Sequence, residues 1–238
     1  MAAQIVGYEK MNRIRFFKRL GFACLLYALF WLCSCAGSSS QSNPASNASN
    51  ISDSLELLQI EQSFLKLRQD LQEDRYDSVV VAFSRDTQHW LQEIARASRM
   101  DRLVEIRDKR FDEVLLIFAL RVDRRLNPAL DDRPAGLVSR FMLPGSPIRK
   151  SLLYSEFAAF SLQNQQGQLG LRSAPRVPVF YFKKEGNRWR LDLARSMPLI
   201  MQGAESISRP HGKEKVEQAI WLLRTWGGRQ VEKEDYLR

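Results

Sequence analysis

Three cysteines, two histidines and a few adjacent carboxylates are the side chains through which this 238-residue chain could do chemistry. A thiolate can be a nucleophile, a metal ligand, a disulfide partner or an acylation site. Cys24, Cys33 and Cys35 all precede residue 36, so everything downstream is free of cysteine. That excludes a disulfide-stapled scaffold and a multi-cysteine zinc module. His89 and His211 lie far apart without clustered acids and make no metal-ligand spacing. Asp131-Asp132 is a short acidic loop pair, with fewer oxygens than a Ca²⁺ site collects. The chain contains no Gly-rich phosphate loop, nucleophile elbow or paired metal-binding histidines. The residues therefore identify no catalytic group, no metal and no cofactor. The sharpest chemistry left concerns a cysteine near the N-terminus.

Lys10, Arg13, Arg15, Lys18 and Arg19, opposed only by Glu9, precede an apolar run without charge from Leu20 to Ser34. As a helix that run would extend about 22 Å, short of the ~30 Å hydrocarbon layer. A basic head followed by a short apolar core predicts a signal peptide over 1–34, its basic end held in the cytoplasm. A start at Met11 would make the basic segment more compact than a start at Met1. The run ends in Leu32-Cys33-Ser34-Cys35, which resembles the lipobox of bacterial lipoproteins. The resemblance implies a diacylglyceryl group on the Cys35 sulfur, cleavage before Cys35 and palmitate-like acylation of the new amino terminus. Each buried CH₂ contributes about 0.8 kcal/mol, so several chains hold where one is marginal. Ala36, Gly37 and Ser38, with no Asp beside the cysteine, are similar to lipoproteins sorted to the outer membrane and facing the periplasm.

Residues 35–52 are expected to be the lipidated cysteine and a flexible tether. Positions 36–50 carry neither charge nor large apolar side chain and cannot repay the entropy of ordering; their reach is on the order of 20 Å. The remainder has the composition of a globular protein, the whole chain being 45% hydrophobic and 26% charged. Of the net charge of +9, +5 lies beyond Cys35. Much of the positive charge thus belongs to export, and no nucleic-acid partner is implied.

Asp53-Ser-Leu-Glu56 has capping-box spacing and introduces Leu57, Ile60, Phe64, Leu67 and Leu71, predicting a helix over about 54–73. Val80, Phe83, Trp90, Leu91 and Ile94 predict helix broken near Ser84, with Ser84 or Asp86 capping a piece that runs to about Ala97. A third helix is expected over 101–125, ending before Asn127-Pro128. Pro and Gly then interrupt the pattern, and 127–150 is expected to be mostly loop with a short strand at Leu137–Phe141. Val216, Ile220, Leu223 and Trp226 predict a C-terminal helix over 213–226, closed by Gly227-Gly228.

From Glu156 the period changes from helical to alternating. Strands are expected at 157–163, 168–172 and 177–183, followed by a hairpin turning at Gly186-Asn187. A two-residue loop pairs Phe180 with Leu193, Phe182 with Leu191 and Lys184 with Trp189. Every apolar side chain then shares one face, with Tyr181–Asp192 and Lys183–Arg190 on the other. Helices first and a meander second is an α+β arrangement, N-terminal helices packing on one face of a curved antiparallel sheet, plus a C-terminal helix. The hairpin from Val177 to Leu193 resembles the closing strands of the NTF2-like (SnoaL, DUF4878-type) superfamily. This implies a cone-shaped domain over about 53–205, with 206–238 a C-terminal helical extension. It also implies a pocket, for which Phe180, Phe182, Trp189, Leu191 and Leu193 are the candidate lining residues.

Enzymes of that superfamily place an acid or base in the pocket, and this apolar face offers none. Asp192 and Tyr181 are expected to form a solvated cross-strand pair, His89 to sit on a helix surface and His211 in a loop. Arg96, Arg99, Arg102, Arg107, Lys109 and Arg110 alternate with acids and predict a salt-bridged face. The expectation is a lipid-anchored envelope protein with a non-catalytic domain for an envelope protein partner or a small apolar ligand. The alternatives are an isomerase- or dehydratase-type enzyme using His89 or Asp192, and a structural subunit with an apolar patch near 213–226.

Overall fold

Ile60, Phe64, Leu67 and Leu71 recur at alternating three- and four-residue spacing. In the computed structural model, which describes residues 47–143, 146–225 and 230–236, they form the buried face of α1 (Asn47–Gln72). The expected signal peptide, Cys35, the expected tether as far as residue 46, and Trp226 through Gly228 lie outside the described residues. The helix begins earlier than expected: 47–52 continue it rather than forming leash, and Asp53-Ser-Leu-Glu56 lies inside it rather than capping it. Once a helix is nucleated by packing, each added residue gains a hydrogen bond, so it propagates through weak formers. Glu56 instead accepts the indole N–H of Trp189 at 2.9 Å and pairs with Lys184.

Next come α2 (Tyr76–Ala82) and α3 (Arg85–Met100), broken as expected at Ser84, whose hydroxyl accepts the Thr87 N–H at 3.2 Å. The helix expected over 101–125 is two, α4 (Leu103–Arg107) and α5 (Phe111–Leu126). They part at residues 108–110, where the Glu113 carboxylate accepts the Arg110 N–H and starts the second helix. The expected loop and strand over 127–150 are instead α6 (Pro134–Phe141) and α7 (Pro147–Tyr154). Both prolines occupy the first helical turn, where a fixed φ and a missing N–H are harmless. Leu137, Val138 and Phe141 are buried at helical rather than alternating spacing.

The sheet is an antiparallel meander in the order β1 (Phe157–Gln163), β2 (Gln166–Leu171), β3 (Ala174–Glu185), β4 (Arg188–Asp192). The β3–β4 register is the expected one, Phe182 facing Leu191, Lys184 facing Trp189 and Tyr181 facing Asp192. Of the two turn residues only Gly186 takes a positive φ, 61°, a conformation that disfavours any side chain. Gly167 faces Phe182, and a Cβ there would lie 2.6 Å from Ile60 Cδ1; its bareness lets α1 settle onto the sheet. The Phe64 ring lies 5.1–6.1 Å from those of Phe157, Phe160, Phe180 and Phe182, mostly edge to face.

The expected Phe180–Leu193 pair does not form. Pairing ends at Tyr181–Asp192, and Leu193 opens α8 (Leu193–Ser208), a segment where no element is expected beyond the hairpin. This helix contains Pro198, which cannot donate to the carbonyl of Ala194; Arg110 Nη2 donates to it instead at 3.2 Å. The anticipated domain boundary near 205 falls inside α8. A 3₁₀ turn (Arg209–His211) leads to α9 (Lys215–Thr225), which packs on α5 and α8, and α10 (Lys233–Tyr236) closes the described chain against α5. The protein is α+β, with a C-terminal helix and an open antiparallel sheet.

Candidate functional site

The five side chains expected to line a pocket are all buried: Phe180, Phe182, Trp189, Leu191 and Leu193. α1 supplies the neighbours of the sheet residues among them, with Ile60 and Phe64 filling the space over β2 and β3. Leu193 alone of the five borders a small, partly open void, with Phe83, Trp90, Leu91, Val138 and Met197 among its neighbours. That void measures about 10 Å³, room for one water, whereas ligand pockets run to several hundred Å³. Its lining carries no acid or base.

The polar candidates lie elsewhere. His89 is exposed on α3. Asp192, expected in a solvated cross-strand pair, is half-buried and caps α8, its carboxylate accepting the Arg195 N–H at 3.2 Å. Burial pushes its carboxyl pKa above the ordinary range, against the opposing pull of that hydrogen bond. The strand simply ends there, so its last carboxylate meets a helix N-terminus before it meets solvent. Tyr181 lies beneath the Arg195 guanidinium, 4.2 Å from ring centroid to Cζ. His211 stacks on Trp221 at 3.9 Å with the rings 5° from parallel, beside an open surface groove of about 610 Å³ edged by Arg209, Lys213 and Glu217. Glu217 there accepts the Lys213 N–H at 2.7 Å. Asp131 pairs with Arg133, and Asp132 with Arg99 and Arg124. Among the described residues no group of three or more His, Cys, Asp or Glu could hold a metal ion, and no helix is long and apolar enough to cross a membrane.

The basic run is paired throughout. Arg96 meets Glu93, Arg99 meets Asp132, Arg102 meets Glu105, Arg107 meets Glu214, Lys109 meets Asp101 and Arg110 meets Asp112, at 2.6–3.5 Å. Two of those partners, Asp132 and Glu214, are distant in sequence and are brought in by the fold, while Glu93 is a neighbour of Arg96 on α3.

One polar constellation has no counterpart in the sequence expectations. Arg121 is 6% exposed within the apolar α5. Its guanidinium donates to the carbonyls of Ser98 at 3.1 Å, Asp235 at 3.2 Å and Asp101. Arg125 binds the Asp235 carboxylate at 3.1 Å and the Gln230 carbonyl at 2.6 Å, while Arg224 reaches the Val231 carbonyl at 2.7 Å. Arg121 and Arg125 fasten the C-terminal segment to α5, Arg121 also holds the end of α3, and Arg224 ties the C-terminal segment to α9. The available signal was a lone cation inside Leu115-Leu-Ile-Phe-Ala-Leu-Arg-Val122. Compared with known proteins, the chain matches no family model, no curated protein and no solved structure.

Proposed function

We propose that this is a lipid-anchored bacterial envelope protein, attached through Cys35 to the periplasmic face of the outer membrane, whose folded part engages a protein partner through its surface. The observation that carries the proposal is Leu32-Cys33-Ser34-Cys35 at the end of a charge-free run too short to span a bilayer. An NTF2-like relationship for the domain is supported by α1 lying across the apolar face of a meander with β1 and β4 among its contacts. The filled interior favours a macromolecular partner over a small apolar ligand, because the apolar void beside Leu193 admits about one water. The enzyme alternative draws no support from the geometry: His89 is on the surface and Asp192 is engaged as a helix cap.

The anchor is tested by Cys35→Ala in cells fed a labelled fatty acid. Label should disappear from the protein and the chain should leave the membrane fraction; undiminished labelling would sink the anchor. Mass spectrometry of material cross-linked to the native chain in membranes then identifies the partner. Recovery of the chain without any stoichiometric companion would count against the partner reading.

A further inference from the structure

α1 carries two apolar stripes, and only one of them is used. Ile60, Phe64, Leu67 and Leu71 face the sheet. On the opposite side of the helix, Leu55, Leu58, Gln62, Leu65 and Gln69 repeat with the same three–four alternation, the spacing of a heptad seam with a positions at 55, 62 and 69 and d positions at 58 and 65. The three leucines of this second stripe are 57%, 49% and 54% exposed, and both glutamines are exposed as well. A lone surface leucine is unremarked in any protein. Leucines confined to the a and d positions of one helix face have the pattern that pairs helices.

The charges beside the seam select the occupant and its direction. Glu61 is at a g position and Lys66 at the following e position, both exposed. In a parallel pair of identical helices each g residue faces the e residue five places on in the other chain, so Glu61 would meet Lys66 of the second copy twice over by symmetry. An antiparallel pair with the leucine layers aligned would set Glu61 against its own counterpart. Lys66 now bonds Asp70 at 2.5 Å, but Arg75 holds the same carboxylate at 2.6 Å, so Asp70 keeps a cation when Lys66 turns outward. Gln62, a polar group at a central a position, can bond its symmetry mate and fix register.

We infer that α1 pairs in parallel with α1 of a second copy of this chain along Leu55–Gln69, a short two-stranded coiled coil built on the surface of the folded domain. An isolated helix of this length is marginal in water; here the helix is already ordered by its other face, so docking need not meet that entropy. The pairing does not depend on the lipid anchor, although parallel helices direct both residue-47 ends to one side, as two chains in one bilayer would need.

The test uses the full-length chain in detergent. Gln62→Cys should give an oxidant-induced covalent dimer well above that of the unsubstituted chain, which sets the background for whatever native thiols processing leaves free. Ser206→Cys, exposed on α8, should not. Dimer at Gln62→Cys no greater than at Ser206→Cys would overturn the seam. Cross-linking between Leu58→Cys and Gln62→Cys chains stronger than Gln62→Cys with itself would overturn the parallel direction. In sedimentation at low salt, Glu61→Lys and Lys66→Glu should each weaken dimerisation roughly tenfold, and the double exchange should restore it. Leu58→Asp should leave a folded monomer that still melts cooperatively, without the rise in melting temperature with concentration that the native dimer shows. A native chain that sediments as a monomer at every concentration, or charge exchanges without effect, would defeat the inference. Acyl labelling at Cys35 is untouched by all these substitutions, so this failure and that of the anchor are separable.

Discussion

Asp192 illustrates how one carboxylate acquires its role from where a strand stops. Its register opposite Tyr181 is the one that facial polarity demands. Its partner, however, is the Arg195 N–H, because the chain turns into α8 at the next residue. Removing the cap with Asp192→Ala should cost about 1 kcal/mol in urea denaturation, while Asp192→Asn, an equally good cap, should preserve stability at acid pH. The pH dependence separates the two effects. Since burial raises the Asp192 pKa in the folded state, the unfolded chain binds fewer protons over the interval between the unfolded and folded values. The contribution is therefore greatest below the unfolded pKa and declines as pH rises through the folded one. Asn does not titrate, so the stability of Asp192→Asn relative to the native chain should increase from acid pH across that window and then level off. A relative stability that falls with rising pH would mean that the carboxylate is held in its charged form.

At the scale of elements, strands announce themselves by polarity and helix ends by chemistry that is easier to misread. The hairpin was legible because a one-residue slip would bury Asp192 and expose Phe180, so only one register is compatible with a half-buried sheet. Pro134 and Pro147 are ambiguous in the same way that Ser84 is not: a proline can end a helix or occupy its first turn, and the buried neighbours Leu137 and Ile148 decide which. Pro198 is subtler, since a helix tolerates it here because Arg110, 84 residues before Ala194, supplies that carbonyl with the missing donor. Contacts between elements also depend on single side chains. Arg121→Met should lower stability by about 2–4 kcal/mol, because the buried carbonyls it serves lose a charged donor. It should also make the segment around α10 the first site of limited proteolysis. Unchanged stability and cleavage would show that α10 is held by its neighbours without the guanidinium.

For the molecule as a whole, the C-terminal helix decides whether the fold is a domain with an appendage or one cooperative unit. α9 buries Val216, Ala219, Leu222 and Leu223 against the rest, and the larger three are worth roughly 1.5–3 kcal/mol each. Together these approach the ~5–15 kcal/mol that holds a typical domain folded. A chain ending at Gly212 should therefore lose its sharp thermal transition, and a truncation that melts like the full chain would make the helix dispensable. Of the candidate site, the identity of the inward face was readable: Phe180, Phe182, Trp189 and Leu191 alternate with polar residues, and period two assigns them one side of a strand whatever lies above. The proposed export signal is equally local, resting on charge, length and one cysteine. What the sequence by itself determined are these short-range properties, in which each residue is judged against neighbours a few positions away. Tertiary structure alone decided that Ile60 and Phe64 would occupy the space over that face, that Arg121 would fasten α10, and that the second stripe of α1 would be left to solvent. The physical reason is that burial and hydrogen-bond satisfaction are set by groups distant in sequence, and no local pattern records which of two apolar faces another element will reach.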